Sequence, residues 1–210
     1  AALKRMTPRD HGVVVQVGSA LAYRGIPLQS AYCGAKHAIE GFTESVRTEL
    51  LHDGSAVRIT MVQMPALNTP QFRWSKALMP RSPQPVPPIF QPEVAAEAIV
   101  WASLHPRREI FVGGNVPVVI WGSKLFPGRA MRYLAHTGYE SQMTDREADP
   151  DRPNNLYEPV EGDFGAHGDF DGSSTPSSLQ LWLTTHPTVL ALGAVVAGVL
   201  LGAGARRRTG

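Results

Sequence analysis

The run Gly12-Val13-Val14-Val15-Gln16-Val17-Gly18-Ser19 decides the fold. Nearly continuous valine closed by glycine is the pattern of a strand buried on both faces of a parallel sheet, where β-branched side chains pack above and below the pleat. After a loop holding Gly25 and Pro27, Ala35, Ala38, Ile39, Phe42, Val46, Leu50 and Leu51 recur at helical spacing from about residue 30 to residue 51, with Glu40, Glu44, Arg47 and Glu49 between them. That pattern predicts a long amphipathic helix, stopped at Asp53 and Gly54. Residues 57–62 then read as a second strand. Pro92 suits the first turn of another helix, with Val94, Ala95, Ala98, Ile99 and Leu104 on one face, and residues 110–112 form a short third strand closed by Gly113 and Gly114. Strand, helix, strand, helix, strand is the order of a parallel α/β sheet.

Three polar residues stand in register on this frame. Ser19 ends the first strand, and Tyr32 follows 13 residues later with Lys36 four positions beyond it. Residues four apart share one helix face, so the phenol and the ammonium project side by side. A carbonyl accepting hydride needs a proton at its oxygen, and an alcohol losing hydride needs a base. Free tyrosine, with a pKa near 10, is a poor base at neutral pH, and an adjacent ammonium is expected to lower that value. Ser19, at the carboxyl end of its strand, is placed to hydrogen-bond the same substrate oxygen. Taken singly, each residue has a duller reading: a helix aromatic, a solvated charge, a turn serine. Their joint register favours the site.

The composition narrows the partners. With 20 basic and 18 acidic side chains scattered over 210 residues, for a formal charge of +2, there is no electrostatic footprint for nucleic acid. The one cysteine, Cys33, cannot pair within the chain, and the seven histidines show no metal-ligand spacing, which suits a reducing, cytoplasmic compartment and no metal. Residues 65–92 hold Pro65, Pro70, Pro80, Pro83, Pro85, Pro87 and Pro88 and are expected to form a long irregular loop. Its Phe72, Trp74, Leu78, Met79, Ile89 and Phe90 suggest a lid over a hydrophobic substrate, or a cover for the core. Residues 116–134 read as one or two short helices broken at Pro117, Gly122 and Pro127. Residues 138–187, rich in Asp, Pro, Gly, Ser and Asn, read as a flexible, disordered linker. Residues 188–205 are an uncharged run of 18 residues before the basic tail 206–210. At roughly 27 Å as a helix it is just long enough for a bilayer core, so a transmembrane or membrane-associated helix is expected, although Arg206, Arg207 and Arg208 would then lie on the far side against the usual charge bias.

Residues 12–69 resemble the short-chain dehydrogenase/reductase family, through the strand ending in Ser19, the Tyr32-Cys33-Gly34-Ala35-Lys36 helix, and the strand and loop that follow. The likeness implies the carboxyl-terminal half of a Rossmann-like doubly wound parallel sheet over residues 1–137. It also implies NAD- or NADP-dependent hydride transfer to or from a small carbonyl or alcohol substrate. Tyr32 would be the acid/base, Ser19 the oxygen clamp, and Lys36 both the tuner of Tyr32 and a holder of the nicotinamide ribose. Met64-Pro65-Ala66-Leu67-Asn68-Thr69 falls where the family has Pro-Gly-x-x-x-Thr, which makes Thr69 a contact to the nicotinamide carboxamide on an altered loop. The glycine-rich Thr-Gly-x-x-x-Gly-x-Gly turn and the Asn-Asn-Ala-Gly element are not in the chain, so a fragment lacking the amino-terminal cofactor-binding half is expected, inactive by itself. Family members commonly pair through the tyrosine-bearing helix, which makes a homo-oligomer the expected assembly. The alternative is a non-catalytic, membrane-tethered scaffold of the same fold. A serine hydrolase is disfavoured, because Val17-Gly18-Ser19-Ala20-Leu21 lacks the Gly-x-Ser-x-Gly elbow.

Overall fold

A computed structural model describes residues 1–190 of the chain. The elements run α1 (Ala2–Met6), β1 (Val13–Val17), α2 (Ser30–His52), β2 (Arg58–Gln63), β3 (Ala66–Leu67), β4 (Arg81–Pro83), β5 (Ile89–Phe90), α3 (Pro92–Leu104), β6 (Glu109–Phe111), α4 (Asn115–Leu125), α5 (Pro127–Thr137), β7 (Met143–Glu147), β8 (Ser174–Thr175) and α6 (Leu179–Thr185).

Strands β1, β2 and β6 form a parallel sheet in that order, with Val13 opposite Arg58, Val17 opposite Val62, and Met61 opposite Glu109. Parallel neighbours need a crossover between them, and α2 and α3 supply the two. The period of two along the strands sorts their side chains between the helices. Val14, Val57 and Ile59 pack with Val46 and Leu50 of α2 and with Leu3 and Met6 of α1. Val15, Val62 and Ile110 pack with Val94, Ala95, Ala98 and Ala102 of α3. The sheet is therefore covered on both faces, as the strand–helix order predicts.

Two details depart from that expectation. The valines of β1 are only half-buried and Val17 is 44% exposed, because β1 pairs with β2 on one side and has no strand on its other side among the described residues. On α2 the inward stripe is Cys33, Glu40, Thr43, Val46 and Leu50, while Phe42 and Leu51 face outward. Polar residues take inward positions here because Tyr23, Gln63 and Glu109 form a polar patch on this side of the sheet.

The largest correction concerns residues 138–187. These residues are not a free linker. Strand β7 pairs antiparallel with β4, β8 extends a small parallel sheet of order β3-β5-β8, and Leu181 of α6 is sealed in the core beside Val62 and Phe90. The proline-rich loop is in turn less irregular than expected, since β3, β4, β5 and a 3-10 turn at Pro70–Arg73 lie within it; β3 pairs with β5, and β5 and β4 pair with β8 and β7 of the later segment. Residues 116–134 do resolve into two short helices, α4 and α5. The expected membrane helix at 188–205 lies outside the described residues from position 191 onward. Among the described residues no helix is long and apolar enough to cross a membrane.

Candidate active site

The carboxyl ends of β1 and β2 lie side by side and release the loops that build the site. Gly18 N donates to Val62 O at 2.9 Å, and a Cβ at Gly18 would come within 2.3 Å of the fully buried Gln63 side chain, so glycine is what lets the chain leave β1 so close to β2. Ser19 follows in extended conformation, buried, and caps the 3-10 turn Ala20–Ala22 by accepting from Leu21 N at 3.1 Å. Tyr32 and Lys36 sit on the first turns of α2.

The structure brings these three together. The Ser19 hydroxyl stands near enough to the Tyr32 phenol to favour its ionised form. Lys36 Nζ lies 5.6 Å from the centre of the Tyr32 ring and donates to Val17 O at 3.0 Å, which ties the helix to the end of β1. Tyr32 remains 43% exposed, so the site is open to a ligand. Thr69 is held elsewhere: it stands at the amino end of the Pro70–Arg73 turn, its N donating to Leu67 O, with Gly168 closely apposed to its carbonyl.

The electrostatics differ from the sequence reading. Burial pushes the Tyr32 phenol above its usual value, with the Ser19 hydroxyl acting downward and Cys33 upward. The Lys36 ammonium lies over the ring and donates to a backbone carbonyl. Burial also lowers the pKa of Lys36. In this arrangement Tyr32 keeps its proton at neutral pH and is a donor, the form required for carbonyl reduction.

A second polar cluster went unseen in the sequence. Tyr23 donates to Glu109 Oε1, Gln63 Nε2 donates to the same oxygen at 2.9 Å, and buried Glu40 lies against the Tyr23 hydroxyl with no donor of its own. Burial and the two carboxylates hold the Tyr23 phenol far above its normal range. Glu40 lies one turn beyond Lys36 on the inward stripe of α2, and that position was the one available sequence signal.

Which residues could hold a nicotinamide nucleotide follows from this geometry. Lys36 spends one donor on Val17 and has others to offer, and Tyr32 is reachable from solvent, which fits the ribose end of such a cofactor. For the pyrophosphate end, the sequence contains no Thr-Gly-x-x-x-Gly-x-Gly motif.

Residues 1–77 match the family model described as short chain dehydrogenase. Over 99% of its length the chain is 33% identical to the uncharacterized oxidoreductase YxnA of Bacillus subtilis, covering 58% of that protein. It is 27% identical over 134 residues to estradiol 17-beta-dehydrogenase 11 of Homo sapiens, covering 43% of it. The chain thus spans about half the length of the curated relatives it matches. A short chain dehydrogenase of Burkholderia cenocepacia, solved in complex with NADP, superposes with a TM-score of 0.48 at 22% identity, over 63% of this chain and 51% of that one. The match to the Bacillus protein covers 99% of the chain and so runs well past residue 77, where the family model ends.

Proposed function

We propose that the chain carries the catalytic part of an NAD- or NADP-dependent oxidoreductase of the short-chain dehydrogenase type, acting on a carbonyl or alcohol substrate. The observation that carries this reading is the convergence of the Ser19 hydroxyl, the Tyr32 phenol and the Lys36 ammonium at the open end of β1. The family match over the same residues supports it, as does the oxidoreductase description of the Bacillus relative.

A bound nicotinamide cofactor would supply or accept the hydride. A carbonyl oxygen placed between Ser19 and Tyr32 receives hydrogen bonds from both hydroxyls. As its carbon takes hydride, that oxygen takes the Tyr32 proton, which leaves an alcohol and a phenolate. Lys36 is assigned to offset the phenolate charge as the proton leaves, an interaction that opposes the upward pull of burial on the phenol. Solvent then returns the proton through the exposed edge of Tyr32. Running backward, the phenolate acts as the base for alcohol oxidation. Thr69 is assigned to the cofactor carboxamide, and Lys36 to the ribose hydroxyls.

Replacing Tyr32 by Phe in the full-length protein tests the reading. Nicotinamide absorbance should show turnover falling by about 10²–10⁴-fold, with cofactor affinity kept. Unchanged turnover would remove Tyr32 from the mechanism. A second reading, a non-catalytic, membrane-tethered scaffold of the same fold, requires no turnover in the wild type either.

A further inference from the structure

Residues 149–175 cross the loop that follows Thr69 and grip it at three levels. At its base, fully buried Asn68 donates from Nδ2 to Asp171 Oδ1 at 2.8 Å and to Gln91 Oε1 at 3.1 Å. Its Oδ1 accepts from Phe170 N at 3.0 Å, and its carbonyl accepts from Gly168 N at 3.1 Å. At the middle, Arg73 makes a two-pronged contact with Asp169, with Nη2 at 2.7 Å from Oδ1, while Phe72 meets Phe170 edge to face at 5.9 Å. At the tip, Trp74 packs on Phe164 at 4.4 Å, and Arg152 donates to the carbonyls of Phe72 and Ser75. The closest approach is at Gly168, where a Cβ would lie 2.6 Å from Thr69 O and 2.7 Å from Asn68 Oδ1. Only a residue without a side chain fits between strap and loop.

We propose that residues 163–175 are a strap that positions the Asn68-to-Trp74 loop, fixing Thr69 and presenting Phe72, Trp74, Phe164 and Phe170 as an apolar wall that selects hydrophobic carbonyl or alcohol substrates. The substrate clause rests on the oxidoreductase reading above; the strap itself does not. The four aromatic side chains come from segments about ninety residues apart and remain half-exposed, as a wall facing a ligand must. The 168–171 stretch acts as a positioning element, since its contacts are made to the backbone and side chains of the loop and not to Tyr32.

Amide hydrogen exchange on the 210-residue chain tests the strap without any need for activity. In Gly168→Ala, amides of residues 66–75 and 163–175 should exchange about tenfold faster or more, while β2 and α3 keep wild-type protection. The Asp171→Asn and Arg73→Gln double variant, which adds no bulk, should show the same pattern and decides the matter if Gly168→Ala does not fold. Wild-type exchange of residues 66–75 in the folded variants overturns the strap. For the substrate clause, steady-state kinetics of the full-length protein with the Asp171→Asn and Arg73→Gln pair should raise KM for a long-chain aliphatic ketone about tenfold and leave kcat within about twofold. Unchanged KM overturns the selective wall. A wild-type protein with no turnover removes the oxidoreductase reading and this clause together, and leaves the exchange result to judge the strap.

Discussion

The sheet with its triad, residues 13–114, and the strap region, residues 138–187, are both ordered and both border the same loop, yet they are held by different physics. In the first, Val62, Ala98, Ala102, Val112 and Ile110 are sealed at 0–1% exposure, and their contacts depend on shape and apolar area. In the second, Leu181 and Met143 are the buried apolar side chains among named directional contacts such as Asn68 with Asp171, Arg73 with Asp169 and Arg152 with two carbonyls. Apolar burial is roughly additive in area and leaves a period in the sequence, whereas a hydrogen bond between positions a hundred residues apart leaves none.

The sharpest way to break this contrast is in the core. Ile110→Ala, beneath α3, should cost about 2–5 kcal/mol in urea denaturation, because the packed alanines of α3 cannot collapse into the space. Phe170→Ala, at a half-exposed position against Phe72, should cost clearly less. Equal losses would mean that strap and sheet unfold as one apolar unit.

Asn68→Ala probes the join between the regions. Its amide is fully buried and serves Asp171, Gln91 and Phe170 N at once, so the variant strands those partners and should lose about 1–3 kcal/mol. Calorimetry should show that loss with the Asn68→Asp variant no better, since an added carboxylate would face Asp171.

These contrasts explain how much could be read from sequence. The parallel β1–α2–β2 unit and the register of Ser19, Tyr32 and Lys36 were legible because each rests on short-range spacing along one strand or one helix. The inward Glu40 and Thr43 were not, because burial of a polar side chain depends on partners such as Tyr23 and Glu109 that sequence distance hides. The same holds for residues 138–187. Their Asp, Gly, Ser and Asn content is the composition of a linker, but here Asp169, Asp171 and Gly168 are used for individual contacts to Arg73, Asn68 and Thr69. The upward shift of Tyr32 was hidden as well, since burial of its phenol depends on neighbours that helical spacing does not show.

Salt should separate the regions further. The Arg73–Asp169 pair is exposed on both sides, so raising ionic strength to about 1 M, where the screening length is about 3 Å, should speed exchange in residues 66–75 and 163–175 and leave β2 unaffected. Equal acceleration in both would place the loss outside the ion pairs.

The smallest expected effect is on pH, and it isolates one side chain. His167 Nε2 lies 2.7 Å from Glu93 Oε1 and its Nδ1 lies 3.3 Å from Asp171 Oδ1, and these two carboxylates are the charged groups that face it, one from α3 and one from the strap. Glu93 first and Asp171 second raise the imidazole above its ordinary 6.5. His167 holds Glu93 below the usual carboxylate value, while Asp171 is lowered by Gln91 first and by His167 next. A raised histidine contributes fully below its free value and loses that contribution as pH climbs through its docked value. The lowered carboxylates contribute above their free values and lose that contribution as pH falls through their docked ones. Strap protection, corrected for intrinsic exchange rates, should therefore hold a plateau from mildly acidic pH to about 6.5 and decline on both sides. His167→Gln should abolish the alkaline decline and keep the acid one, because Asp171 retains Gln91 and Asn68 as donors. An alkaline decline that survives in His167→Gln would show that some other group loosens the strap and that the imidazole charge does not hold it.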